Sequence, residues 1–133
     1  MHTLEGHTGP ITDVHHNWDT IISSCVYDKT VKFWKKRSGE CLFTLNCDVP
    51  VACLAMNLTE PSTHIYFGHT NGIVAQWDME TQQEVQRMKV TNRSVEGIQI
   101  FDNQCIASDF SQIFVKSFEG GMFYIIHFII FWY

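Results

Sequence analysis

Three side chains early in the sequence have the makings of a catalytic relay: His7, Ser24 and Asp28. A serine hydroxyl beside an imidazole, with a carboxylate orienting the ring, can act as a nucleophile on acyl groups. The surroundings argue against that use. There is no G-x-S-x-G elbow to hold the serine on a strained turn and no oxyanion-hole motif. Ser24 falls instead in the middle of a β-rich run. Metal chemistry fares no better. His15, His16, His64 and His69 are candidate ligands, but adjacent histidines on a strand point to opposite faces. His15 and His16 are expected as one packed and one solvated side chain. The five cysteines, Cys25, Cys41, Cys47, Cys53 and Cys105, include no C-x-x-C pair, so zinc-ribbon and thioredoxin chemistry lack their spacing. The expectation is a chain with no catalytic residue, no cofactor and no metal site.

Bulk composition agrees with a folded, non-catalytic module. A hydrophobic share of 45% against 17% charged excludes a disordered chain. Aromatic residues at 14% favour half-buried sheet surfaces. The net charge of −5 disfavours nucleic-acid binding, which needs a basic face. The short basic run from Lys32 to Arg37 reads as a solvated strand end and turn. An odd number of cysteines within apparent strands suits reduced thiols in an intracellular protein. Met1 to Gly6 lacks the basic start and apolar core of a signal peptide. The sequons at Asn57 and Asn92 are then chance matches.

The elements that position these residues are strands. Ile11 to His16, Thr20 to Cys25, Thr30 to Lys35 and Cys41 to Leu45 form a first set, separated by turn clusters at roughly ten-residue spacing. Within the third run Val31 and Phe33 share one side, Lys32 and Trp34 the other. A second set follows: Val51 to Met56, His64 to Phe67, Ile73 to Trp77 and Glu84 to Val90. Gly68 to Gly72 is read as the turn between its middle strands, Asn71-Gly72 suiting a tight hairpin. Met79 to Lys89 has some helical period, but its place in the order assigns it to turn and strand. A third set comprises Val95 to Phe101, Gln104 to Ser108 and Gln112 to Phe118. The sets recur: 43 residues separate Trp34 from Trp77, and 41 separate Trp77 from Phe118.

A period in the forties, opened by Gly6-His7 and closed by a tryptophan as at Trp34 and Trp77-Asp78, resembles the WD40-repeat family. The resemblance implies an all-β fold, a partial β-propeller of about three four-stranded antiparallel blades near residues 5–45, 46–90 and 91–119. Propellers use four to eight blades, so the ring is not closed. The chain reads as a fragment or truncated form, with Met1 to Leu4 the end of an earlier blade's strand. The resemblance also implies a structural tetrad of His7, Ser24, Asp28 and Trp34, with Ser23 as the substitute for Ser24. Gly6, Trp77 and Asp78 belong to the repeat signature. The second repeat departs from it with Asn46-Cys47 for Gly-His, Phe67 for the hydroxyl residue and Asn71 for the aspartate. The third has Phe118-Glu119 for Trp-Asp, Gln112 for the aspartate and no Gly-His. The tetrad is thus expected once, with the other repeats held by apolar packing.

After Glu119 the pattern changes. Residues 122–133 carry a single polar side chain, His127. That is too short for a membrane-spanning helix, which needs about 20 apolar residues. A fourth strand is due here, but the lack of alternation sets 120–133 apart as an atypical apolar tail and an aggregation hazard. The implied function is a non-enzymatic, intracellular scaffold or adaptor that binds other proteins or peptides. The resemblance places binding near Thr8 to Pro10, Val26 to Lys29 and Thr70 to Asn71. The competing reading is a self-associating or membrane-associated structural fragment driven by the tail. An isolated chain of this kind is expected to oligomerise.

Overall fold

A computed structural model describes residues 1–57, 63–101 and 104–118, and the backbone of 121–127. Among these, no residue is helical. The first blade is β1 (Asp13–His16), β2 (Thr20–Cys25), β3 (Thr30–Lys35) and β4 (Cys41–Asn46). The second is β5 (Val51–Met56), β6 (His64–His69), β7 (Ile73–Asp78) and β8 (Gln83–Lys89). The third is β9 (Gly97–Phe101), β10 (Gln104–Ser108), β11 (Gln112–Ser117) and β12 (Gly121–His127). Each blade is an antiparallel meander in chain order, and no sheet closes on itself.

Period-2 alternation explains why the blades stack. In blade 2, Ile65 and Phe67 of β6 join the core shared with blade 1, together with Ile22, Val31 and Phe33. Tyr66, between them, joins the core shared with blade 3, together with Ile100, Cys105 and Phe114. Blade 2 is therefore apolar on both faces. Burying a side chain such as Ile22 or Ile65, both fully covered, stabilises by about 1.5–3 kcal/mol each. An aromatic seam joins blades 1 and 2. Phe33 lies 5.1 Å from Phe43 and 5.3 Å from Trp77, and Phe43 stacks on Trp77 at 5.5 Å. The first strands of the blades are neighbours. Leu54 N–H of β5 donates to the Asp13 carboxylate of β1 at 2.8 Å, and Asn57 forms a parallel bridge with Ile100 of β9.

Several boundaries shift by one or two residues from the sequence expectation, and two differences change the reading. β6 runs through Gly68 and His69, because only Thr70, Asn71 and Gly72 turn. Gly72 has φ +85°, and a Cβ there would lie 1.8 Å from the Thr91 carbonyl oxygen. The second correction concerns residues 120–133, expected as a tail apart from the repeat. Gly121–His127 instead pairs with β11 and supplies the fourth strand of blade 3. Main-chain hydrogen bonds make a ladder whether or not the side chains alternate. Residues 128–133 lie outside the described residues.

Candidate functional site

The polar residues of blade 1 converge where the segment before β1 meets the β2–β3 turn. That turn, Val26 to Lys29, carries Asp28, whose carboxylate accepts from the Thr30 N–H at 2.9 Å and the Thr30 hydroxyl at 2.7 Å. This is an Asx-type turn, in which a short carboxylate satisfies its own loop. The other carboxylate oxygen accepts from His7 Nδ1–H at 2.8 Å and from Thr8 N–H at 3.1 Å. His7 Nε2 accepts the Ser23 hydroxyl at 2.8 Å, and Ser23 Oγ accepts the Trp34 indole N–H at 2.8 Å. The donor sequence runs Trp34, Ser23, His7, Asp28. In this sequence the ring proton facing Asp28 sits on Nδ1.

The serine in this relay is Ser23, not Ser24. Strand register gives the reason. Ser23 pairs with Lys32 and Ile21 with Trp34, so Ser23 shares a face with Trp34. Ser24 pairs with Val31 on the opposite face and bonds Thr12 Oγ1 at 3.0 Å. The alternation of Val31 and Phe33 against Lys32 and Trp34 carried this information in the sequence. Trp34 and Ser23 are buried, and His7 is only 5% exposed at its side chain. Burial by itself would push the Asp28 carboxyl up. Hydrogen bonds from Thr30, His7 and the Thr8 and Thr30 amides outweigh it and hold Asp28 well below the usual carboxylate range. Gly6 brings the first residues across Trp34, where a Cβ would meet the ring edge at 3.3 Å. The arrangement orients no nucleophile toward a cleft, since the serine hydroxyl is enclosed between an indole and an imidazole.

Register also locates the counterparts in the other blades. Trp77 pairs with Ile65 as Trp34 pairs with Ile21, and each tryptophan follows a bulge against the outer strand. Phe67 then stands at the Ser23 position and Asn71 at the Asp28 position. Asn71 keeps a weak turn contact, accepting Ile73 N–H at 3.4 Å. Trp77, buried against Phe67 at 6.0 Å, makes no side-chain hydrogen bond among the described residues. The space left is a cleft of about 230 Å³ lined by Phe67, Trp77, Asn71, Cys47, His69 and Arg87. Asp78 ends β7 and accepts the Glu80 N–H at 2.9 Å, a turn role outside the cleft. The linker before β5 is held by His69, whose Nδ1–H donates to the Val49 carbonyl at 3.0 Å. Burial lowers the pKa of His69, and the Val49 carbonyl only partly offsets it.

Blade 3 departs further from expectation. Lys116, not Phe118, occupies the tryptophan position, pairing with Cys105 directly after the β11 bulge. Phe118 packs on Tyr66 at 5.3 Å instead. The turn carboxylate is Asp109, not Gln112. It accepts the Ser111 and Gln112 amides at 2.8 and 2.9 Å and the Thr91 hydroxyl at 2.6 Å. Burial would raise the Asp109 pKa, but the Thr91 hydroxyl and the two amides reverse the sign and lower it. Thr91 stands six residues before β9, as His7 stands six before β1. Blade 3 is therefore held by a two-residue polar tie as well as by apolar packing. The Ser-Asp-Phe-Ser-Gln turn was its signal in the sequence.

The remaining candidates disperse. His15 lies 3.6 Å from Asp13 and is half-buried, while exposed His16 donates to the Asn17 carbonyl at 3.1 Å. Cys25, Cys53 and Cys105 are buried, and every cysteine is a free thiol. Burial pushes Cys53 and Cys105 up to about 12, which leaves them without thiolate at neutral pH. No helix among the described residues is long and apolar enough to cross a membrane.

Comparison with known proteins gives this geometry a context. The model of the WD domain, G-beta repeat, matches residues 1–35. Autophagy-related protein 16 of Arabidopsis thaliana is 34% identical over 86 residues, covering 60% of this chain and 16% of that protein. WD repeat-containing protein 18 of Homo sapiens is 32% identical over 83 residues, covering 60% of this chain and 19% of that protein. The chain spans less than a fifth of the length of these curated relatives. Among solved structures, U3-55K superposes with a TM-score of 0.82 at 17% identity, over 93% of this chain and 41% of that one. The computationally designed Ika4 protein does so with 0.75 at 21%, over 92% of this chain and 75% of that one. At such identities the structural matches speak to the fold alone.

Proposed function

This chain belongs to the WD40-repeat family, and from that premise we propose that it acts without catalysis, as an intracellular protein-interaction scaffold. WD-repeat relatives support the general role. The binding surface we favour is the end of the stack where the segments before β1, β5 and β9 meet the turns β2–β3, β6–β7 and β10–β11. One observation carries this choice. Two of those turns present bare aromatic rings beside their hydrogen-bonded carboxylates, Tyr27 at 76% and Phe110 at 82% exposure. Exposed aromatics held on turns that are themselves pinned by Asp28 and Asp109 offer contact area at low entropic cost. The occupant is then a protein or peptide segment with apolar side chains.

The experiment is site-specific photocrosslinking in cells. A photoreactive phenylalanine analogue replaces Tyr27, Phe110 or, as a control on the far strand β8, Val85. Discrete protein adducts from the two turn positions and none from Val85 are expected. Adducts from Val85 alone would move the surface elsewhere, and adducts to nucleic acid would overturn the protein-scaffold reading. A self-association reading has one specific support: Val14 and Trp18 on blade 1, and Phe101 and Ile106 on blade 3, are exposed at opposite ends of the stack. Size-exclusion chromatography distinguishes it. A sharp monomer peak would count against it.

A further inference from the structure

Beside the blade 1 relay lies a side chain the relay does not use. Cys25, 1% exposed, is the last residue of β2 and pairs with Thr30. It shares the face of Ser23, two residues away, and so looks onto His7 and Asp28. A nitrogen of His7, the sulfur of Cys25 and a carboxylate oxygen of Asp28 all lie within 4.8 Å of one another. Among the described residues this is the one His/Cys/Asp/Glu group so placed. We propose that His7, Cys25 and Asp28 form a binding site for a borderline-soft divalent cation of the zinc type.

The donor set decides the class of ion. A thiolate and an imidazole exclude magnesium and calcium, which take oxygen ligands, and favour zinc or cobalt(II). Charge closes as well: one thiolate and one carboxylate neutralise a divalent ion, so the occupied buried site carries no net charge. Distances require a modest closure. Bonds of about 2.0 Å to nitrogen or oxygen and about 2.3 Å to sulfur put tetrahedral ligand atoms roughly 3.3–3.8 Å apart. His7 Nδ1 and Asp28 Oδ2, at 2.8 Å, must part slightly, and the thiol must draw in by about 1 Å.

The proton balance is complete. On binding, the thiol proton leaves to solvent, and the His7 ring proton moves from Nδ1, which takes the metal, to Nε2. The His7–Ser23 bond survives with its direction reversed. Ser23 Oγ, with two lone pairs, accepts from both Nε2–H and the Trp34 indole, and its own hydrogen gives up its present acceptor. Thr30 Oγ1, 3.2 Å from His7 Nδ1, or a water supplies the fourth ligand. The site would thus exchange a hydrogen-bonded tie for a metal-bonded one without moving the turn.

The test is cobalt(II) titration of the full chain under a phosphine reductant, read by absorption. One equivalent should give a thiolate-to-cobalt charge-transfer band with tetrahedral d–d bands, displaced by zinc. Cys25→Ser should abolish the charge-transfer band, while Cys53→Ser, in the other core, should keep it. The zinc-loaded wild type should also show a single sulfur among nitrogen and oxygen ligands by X-ray absorption, a readout that stands even if Cys25→Ser fails to fold. No charge-transfer band in the wild type, a band that persists in Cys25→Ser, or a zinc shell of nitrogen and oxygen only would each overturn the proposal.

Discussion

In blade 1, the tryptophan at the β3 bulge donates into a relay that ends on a buried-turn carboxylate. In blade 2, the matching tryptophan has phenylalanine where the serine stood and asparagine where the aspartate stood. The two sites have different neighbours. Trp77 lies against another blade and stacks on Phe43. Trp34 faces away from blade 2 and is covered by the first residues of the chain, around Gly6. A buried indole N–H with no partner costs about 1–3 kcal/mol. Blade 1 answers that cost with a polar partner. Blade 2 avoids it by leaving the indole N–H open to the cleft, and draws its stability from aromatic packing. The lesson is that one repeat position can be held by directional bonds or by area, according to what covers it.

The largest expected effect tests the area side. Trp77→Ala removes the ring that Phe33, Phe43 and Phe67 all touch. It should destabilise by about 3–5 kcal/mol in urea unfolding. A loss below about 1 kcal/mol would mean the seam does not join the blades. Next comes the directional side. Ser23→Ala strips the Trp34 N–H of its acceptor and His7 Nε2 of its donor, at a cost of about 1–3 kcal/mol. Ser24→Ala loses only the bond to Thr12, worth about 1 kcal/mol. The reverse order would return Ser24 to the relay.

Much of this contrast was legible in the sequence. The period, the strand order, and the departures at Phe67 and Asn71 could all be read from residue types. The choice between Ser23 and Ser24 turns on a one-residue register, which flips every side chain to the other face. Adjacent serines offer no type difference to decide it. Blade 3 misled for a related reason. Phe118 lies near the spacing of the earlier tryptophans, but the bulge after Val115 puts Lys116 in that place. Asp109 was overlooked because its turn sits one residue earlier relative to β11 than Asp28 does relative to β3. The strand at Gly121–His127 was hidden because its backbone pairing needs no alternation.

Acid separates the blades further. The folded-state pKa values of Asp28 and Asp109 are lowered, while Asn71 in blade 2 does not titrate. A lowered carboxylate contributes stability that is fully present above its ordinary pKa of 3.8 and is lost as pH falls through the folded value. Unfolding free energy should therefore begin to decline gently below about pH 6.5, where unfolding lets His69 of blade 2 take up a proton, and fall more steeply below about pH 4 as the two carboxylates protonate. Asp28→Asn should lower stability at pH 7 and flatten the acid limb. An unchanged acid slope in Asp28→Asn would show that the blade 1 relay is not what acid breaks.

The smallest effect concerns the turns between the third and fourth strands, where the blades differ again. Blade 1 places Gly39 at φ +73°, and blade 2 places Gln82 at φ +56°. A side chain in the left-handed region costs roughly 1–2 kcal/mol, because its Cβ crowds the following carbonyl. Glycine escapes that crowding but loses about 0.5–1 kcal/mol more in backbone entropy on folding. The difference favours Gln82→Gly by a few tenths to about 1 kcal/mol. Gly39→Gln should cost a similar amount, and more if the new side chain meets His2, whose Cβ lies 3.1 Å from the position a Cβ would take. Urea midpoints for the two variants should therefore move in opposite directions. If both fall, the Gln82 side chain contributes surface contacts that outweigh its backbone strain, and the two turns are not interchangeable.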